Sequence, residues 1–283
     1  MRLNSAVRSR SVALSLLTFV ATSAVWAQGP NAKWAQITYR KSIDGKAADH
    51  RKFLETAWVK SVEHGVAKGD LHGGLVLRLT APFAIGSDND YAAVIFPVKA
   101  PSLAQPSQET LDARGKAAGF ANYAAYMAAS RSSSTLVRQA WNVIRNRIGT
   151  VTVGSYIRTA TYQVGDDHMD AVMGYMREYA LPMNAARIKQ GNSPAIGWSL
   201  QTPGLVGSEE AGYALTASTV LKDPEQAVMG PGPLSEESFK AMMPGKSYAE
   251  YIRQTAAING LRKRVRTRFS EVIAVVGSVP TVN

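Results

Sequence analysis

The stretch LRLTAPFAIGSDNDYAAV, from Leu77 to Val94, decides the fold because the chain contains it twice. It returns as LQTPGLVGSEEAGYALTA, from Leu200 to Ala217, at an offset of about 121 residues. Self-similarity at a fixed spacing is the signature of a repeated structural unit. The matched pairs are Leu79 and Leu200, Pro82 and Pro203, Gly86 and Gly207, Ser87 and Ser208, Asp88 and Glu209, and Tyr91 and Tyr213.

The similarity extends beyond this stretch in both directions, which separates a duplicated unit from a recurring turn. Upstream, Gly74 corresponds to Gly197, and downstream NYAAYM, from Asn122, corresponds to SYAEYI, from Ser247. We therefore divide the chain into an N-terminal segment, 1–27, a first unit, 28–153, and a second unit, 154–283.

Each unit has the same predicted order of elements. A strand rich in Thr, Tyr and Ile leads into an amphipathic helix, and two strands joined by the repeated stretch follow. Helical regions are predicted at about 108–147 and 235–268, and short apolar strands, IGTVTV and EVIAVV, end the units. This βαββαβ order is ferredoxin-like.

A ferredoxin-like sheet has helices on one face only, so its other apolar face needs a partner. The second copy can supply it. The sequence therefore predicts an α+β protein in which two tandem ferredoxin-like units pair their sheets into one α+β barrel.

This arrangement resembles the dimeric α+β barrel superfamily over nearly the whole chain after residue 27. The superfamily includes antibiotic-biosynthesis monooxygenase-like, EthD-like and NIPSNAP-like proteins and, with heme, the chlorite dismutases. The resemblance implies a shared cavity between two sheets. It rests on element order and duplication, so it bears on fold more than on function.

The N-terminal segment has the pattern of a cleavable signal peptide. Arg2, Arg8 and Arg10 precede a short apolar stretch, and VWA ends in a small residue at Ala27. We expect cleavage near Ala27 and a periplasmic or secreted protein with no integral membrane segment afterwards. The chain has no cysteine, which excludes disulfides and thiolate sites.

The net charge of +11 is strongly basic, and loss of the three signal-segment arginines would leave about +8. A basic protein can bind nucleic acid, anionic membranes or small acids, and export disfavours nucleic acid. The densest basic run, Arg262–Arg268, has apolar residues near helical spacing. It predicts the solvated face of an amphipathic helix, with a binding patch as the alternative.

The acidic run within the repeated stretch, Gly86–Asp90, raises the question of a cation site. A short hairpin offers few converging oxygen ligands, and the second copy keeps the acids only approximately. We interpret the run as the loop between two strands, and we predict no metal site.

Among the four histidines, His72 is the best candidate for catalysis or for metal or heme ligation, because it begins a strand beside two glycines. An exposed strand-start histidine is the alternative. His50 and His168 each follow an aspartate where a helix is predicted to begin, and we interpret both as helix-start features.

Aromatic and basic residues of the predicted strands are the candidates for ligand binding, since alternate strand residues face the cavity. Core packing is the competing explanation for any single one of them. The predicted ligand-binding residues are Tyr39, Arg78, Tyr91, Arg158, Trp198 and Tyr213.

The leading hypothesis is an exported protein that binds a small aromatic or acidic organic molecule in the barrel, with no cofactor. Cofactor-independent monooxygenase or isomerase-type chemistry is what the superfamily resemblance implies. One alternative is heme binding in the barrel with His72 or His168 as axial ligand. Another is a structural or interaction protein with a solidly packed barrel. The sequence does not set the oligomeric state.

Overall fold

The computed structural model describes residues 33–80, 88–102, 106–191, 193–204, 214–229 and 234–282. The first unit contains β1 (Lys33–Ser42), α1 (Ala47–Phe53), a π-helical turn (Leu54–Trp58), α2 (Val59–Ala67), β2 (Leu71–Leu79), β3 (Tyr91–Pro97), α3 (Gln108–Ala117), α4 (Tyr123–Ser133) and β4 (Ser134–Gly149). The predicted signal segment, 1–27, lies outside the described residues.

The second unit repeats this order. It contains β5 (Tyr156–Val164), a 3₁₀ turn (Asp166–His168), α5 (Met169–Tyr175), a π-helical turn (Met176–Ala180), α6 (Leu181–Gln190), β6 (Ala195–Pro203), β7 (Leu215–Leu221), α7 (Pro224–Met229), α8 (Glu236–Met242), α9 (Tyr248–Leu261) and β8 (Arg262–Gly277). Within the part of the chain that the structure describes, no helix combines the length and apolarity needed to cross a membrane.

The strands close into one antiparallel barrel in the order β1-β3-β2-β8-β5-β7-β6-β4. Within each unit the last strand lies beside the first, as in a ferredoxin-like sheet. The two sheets join through β2 with β8 and through β4 with β6. This topology confirms the predicted α+β fold of two ferredoxin-like units sharing one barrel.

The final strand of each unit is much longer than predicted. Both β4 and β8 have 16 residues and begin directly after a helix, so the prediction of helix to about 147 and 268 was wrong. The basic run Arg262–Arg268 is therefore strand and not the face of a helix. Its apolar spacing fits a helix, but pairing with β5 along the run overrides that preference.

A shared irregularity supports the duplication. The long helical segment of each unit is interrupted by a π-helical turn, Leu54–Trp58 in the first and Met176–Ala180 in the second. Pro182 follows the second turn, and proline is a common cause of helix irregularity. Since the first unit has the same turn and no proline beside it, the irregularity belongs to the repeated backbone.

The helices of the second unit bury a large apolar cluster against the outer face of the sheet. Phe239 is fully buried at its centre and stacks on Tyr251 with ring centroids 4.9 Å apart. Leu200 and Leu215 contribute the sheet side of the same cluster. Burial of these large side chains is the main force that holds the helices on the sheet.

We predict that Phe239→Ala lowers the free energy of unfolding by about 3 to 5 kcal/mol, because it opens a cavity in this cluster. Ile252→Ala, on the exposed side of α9, is the matched control and should change it by less than about 0.5 kcal/mol. Urea denaturation measures both. Equal effects of the two substitutions would contradict the packing described.

His50 ties α1 to the sheet in the first unit. It is fully buried, its Nδ1 lies 3.0 Å from the Ser42 hydroxyl, and its ring meets Tyr91 edge to face at 4.7 Å. Burial, with the nearby charge of Arg40, lowers the pKa of His50 to about 4, and Asp90 opposes this shift only weakly. The helix-start position was predicted, but its burial in a polar contact was not.

Acid should therefore weaken the fold through His50. Between pH 6.5 and about 4 the unfolded chain takes up a proton that the folded protein excludes, so stability falls by up to about 3 kcal/mol as pH is lowered through this range. The measurement is the free energy of unfolding against pH. His50→Gln should flatten that profile, and an unchanged slope in this variant would contradict the assignment.

Candidate functional site

A cavity lies inside the barrel, where every second strand residue points inward. Apolar side chains line part of it, and hydroxyl and amide groups line the rest. Thr159 and Ser218 share a hydrogen bond of 2.9 Å across neighbouring strands, and Asn142 donates to Gln201 at 3.0 Å. The apolar residues of the lining include Leu75, Leu77, Val94, Phe96, Ile157 and Val220.

One end of the barrel, which we call the closed end, is filled by the segment that follows β8. Val279 and Val282 pack with the interior apolar cluster, and Arg147 donates to the carbonyls of Val279 and Pro280 at 2.9 and 3.4 Å. Burial lowers the pKa of Arg147 to about 10. This arginine fastens the C-terminal segment across the barrel.

The opposite end, which we call the basic end, consists of Tyr39, Arg138, Arg266 and Arg268. Tyr39, Arg266 and Arg268 line the cavity. The guanidinium carbons of Arg138 and Arg268 lie 3.9 and 5.1 Å from the centroid of the Tyr39 ring, within cation–π distance. Aromatic and cationic groups thus meet at this end of the barrel.

Asp88 bridges two arginines of the basic end. Its Oδ2 lies 2.6 Å from Nη1 of Arg138, and its Oδ1 lies 3.6 Å from Nη2 of Arg268. Burial opposes ionisation of Asp88, but Arg138 and Arg268 outweigh it and hold the pKa of this carboxyl below its usual range. Burial also lowers the pKa of Arg268.

The cavity has a volume of about 110 Å³. For comparison, an apolar protein cavity of about 150 Å³ accommodates benzene. The space therefore suits a molecule no larger than a small organic acid.

Two of the predicted ligand-binding residues belong to this region. Tyr39 lines the cavity. Trp198 borders it, but also packs in the apolar cluster around Phe239 on the outer face of the sheet. Tyr213 lies outside the described residues.

Three other predicted ligand-binding residues are not among the residues that line the cavity. Arg78 forms an ion pair with Glu271, Tyr91 packs against His50, and Arg158 lies 5.8 Å from the Phe269 ring centroid. All three alternate with inward-facing neighbours of the same strands, such as Leu77, Ala92 and Thr159. Successive side chains of a strand point to opposite faces, so these three residues face away from the cavity when their neighbours face into it. The sequence did not show which of the two sets faces inward.

The histidines offered as heme ligands do not line the cavity either. His72 lies at a register shift at the start of β2, where its carbonyl accepts from the Ser278 backbone N–H at 2.8 Å. His168 lies beside Asp167, with its side chain 43% exposed. The described lining contains no histidine, and about 110 Å³ is too small for a porphyrin. These residues do not fit heme in the barrel.

The acids of the repeated stretch are held by protein groups. Asp88 pairs with the two arginines, and Asp90 accepts from the Ser42 backbone N–H at 2.7 Å and pairs with Lys41 at 3.1 Å. Residues 81–87 lie outside the described residues. The two described carboxylates thus serve as anionic partners of protein groups.

The arginines of the cavity are the residues that sequence reasoning missed. Arg264, Arg266 and Arg268 alternate with uncharged residues, which is a strand period, but the run was assigned to a helix. Because the strand period places Arg266 and Arg268 on one face, recognising it would have predicted a cationic wall.

A larger cavity, about 740 Å³, lies outside the barrel between the first unit's sheet and its helices. Phe53, Trp58 and Tyr126 contribute aromatic walls. The buried guanidinium that borders it, Arg40, already donates to the Ser134 hydroxyl at 2.9 Å. We take the barrel cavity as the candidate site because side chains of both units line it, whereas the first unit alone lines the outer cavity.

Comparison with known proteins gives only distant similarities. No protein-family model matches the sequence, and no curated protein matches it significantly. A provisionally assigned monooxygenase from Lactobacillus acidophilus NCFM is 9% identical, with a TM-score of 0.49 and coverage of 89% of this chain and 100% of that chain.

Two further solved structures are similar at the same level. A provisionally assigned monooxygenase from Fusobacterium nucleatum has 12% identity, a TM-score of 0.44 and coverage of 87% and 94% of the two chains. A heme-binding protein from Thermus thermophilus has 10% identity, a TM-score of 0.42 and coverage of 85% and 91%. These likenesses are too distant to bear on function. The strand order itself gives this chain the general fold of the α+β barrels.

Proposed function

We propose that this protein binds a small organic acid in the cavity of its barrel. The observation that carries the proposal is the convergence of Arg266 and Arg268 on one cavity wall, beside hydroxyl groups and an apolar interior. Guanidinium groups in a sheltered site form strong charge-assisted hydrogen bonds with carboxylates. A small apolar pocket with a few convergent polar groups is the usual form of a ligand site.

Binding is better supported than turnover. The described lining contains no carboxylate and no imidazole, the groups that most often transfer protons near neutral pH. Cofactor-independent monooxygenase or isomerase-type activity therefore stays a prediction from the superfamily resemblance. The presence of a cavity disfavours the alternative of a solidly packed structural barrel.

The binding prediction can be tested by isothermal titration calorimetry of the purified protein with butanoate and with benzoate, the second as a probe larger than the benzene that a cavity of about 150 Å³ accommodates. We expect measurable binding of at least one acid, and a loss of at least about tenfold in its affinity in Arg268→Gln, which removes a cation from the cavity. Arg158→Gln, on the outer face of the adjacent strand, is the matched control and should leave affinity within about twofold.

Two results would contradict the binding proposal. One is the absence of heat and of thermal stabilisation with either acid at millimolar concentration. The other is an equal loss of affinity in Arg158→Gln and Arg268→Gln, because only the second residue lines the cavity.

We also propose that the protein acts outside the cytoplasm, on the basis of the segment 1–27. Expression of the full chain in a Gram-negative host should yield a mature periplasmic protein with its N-terminus near Gln28. N-terminal sequencing or intact mass after osmotic shock measures this. Recovery of the uncleaved chain from the cytoplasm alone would refute it.

A further inference from the structure

We infer that the ligand of the barrel is a short-chain monocarboxylic acid, and that its carboxylate takes the place of the Asp88 carboxylate between Arg138 and Arg268. This inference rests on the proposed function. It adds the chemical class of the ligand, the orientation of its carboxylate and the protein group that competes with it. Asp88 is then a group of the protein that occupies the ligand's position when no ligand is bound.

The bridge made by Asp88 shows one carboxylate in contact with both arginines, as a hydrogen-bonded ion pair with Arg138 and as a longer ion pair with Arg268. One oxygen faces Arg138 at 2.6 Å, and the other faces Arg268 at 3.6 Å. A carboxylate with each oxygen directed to a different guanidinium therefore fits this position. Since Arg268 also lines the cavity, a ligand inside the barrel can reach the same cation.

The cations and the acid differ in how firmly they are held. The side chains of Arg138 and Arg268 are 8% and 15% exposed, whereas that of Asp88 is 51% exposed. A half-exposed carboxylate regains water when it leaves, so its release costs little. The arginines are confined by the barrel and by the Tyr39 ring. Exchange of the acid is therefore easier than movement of the cations.

The interior of the barrel determines which carbon chain the acid can have. Thr159 lies beside Arg268, and apolar lining residues such as Leu77, which pairs with Val272 further along β8, lie beyond it. An acid bound at the basic end directs its carbon chain toward these apolar groups, which gain from the burial. A volume of about 110 Å³ restricts that chain to a few carbons.

The test is calorimetric titration of butanoate and of its neutral analogue butanamide into the wild type and Asp88→Asn. Removing the competing charge should raise butanoate affinity about threefold to fivefold and leave butanamide affinity within about twofold. Asp49→Asn, which breaks the exposed ion pair with Lys46, is the matched control and should change neither.

A second variant keeps the inference falsifiable if Asp88→Asn does not fold. Arg138 pairs with Asp88 but is not among the residues that line the cavity. Arg138→Gln should therefore weaken butanoate binding by at least about tenfold only if the ligand reaches the position of Asp88.

The outcomes separate the two proposals. If the wild type binds butanoate, but Asp88→Asn does not bind it more tightly or Arg138→Gln binds it equally well, the exchange with Asp88 is wrong and the binding site in the barrel stands. If neither butanoate nor benzoate binds the wild type or Asp88→Asn, the proposed function itself fails, and this inference with it.

Discussion

The structure depends on the pairing of β4 and β8 with strands of both units. Each of these 16-residue strands lies beside the first strand of its own unit and beside the second strand, β6 or β2, of the other. A ferredoxin-like sheet alone has two free edges and one bare apolar face. The crossed pairing removes the edges and buries that face in one step, so neither unit has a complete core without the other.

The closed barrel also determines where the charged side chains of β8 lie. Strand alternation forces Arg266 and Arg268 into a space bounded by neighbouring strands, where water is limited and burial lowers the pKa of Arg268. Taking cations out of water costs free energy unless anions or aromatic faces compensate for it. Asp88 and the Tyr39 ring supply such compensation at this end. Stability and the proposed ligand recognition thus depend on the same few contacts.

The sequence predicted the architecture well because the same order of strands and helices is visible twice along the chain. It predicted the site poorly for two physical reasons. Whether Arg78 or Leu77 faces inward depends on strand pairing across the chain, which no local pattern states. The helix-like spacing of Val265 and Phe269 also concealed a strand whose conformation is imposed by β2 and β5.

The register shifts in β1 and β5 occupy equivalent places, between Tyr39 and Arg40 and between Thr161 and Tyr162. Arg138 pairs with Tyr39, and Arg266 pairs with Thr161, so these two arginines are related by the internal twofold relation of the barrel. Arg268 has Ala140 as its counterpart, two residues further along each strand. In a homodimer of one unit, a substitution of alanine by arginine at this position would occur on both walls of the barrel at once. Fusion into a single chain lets one wall gain an arginine alone, so the proposed site would lie off the twofold axis and would bind one ligand per chain.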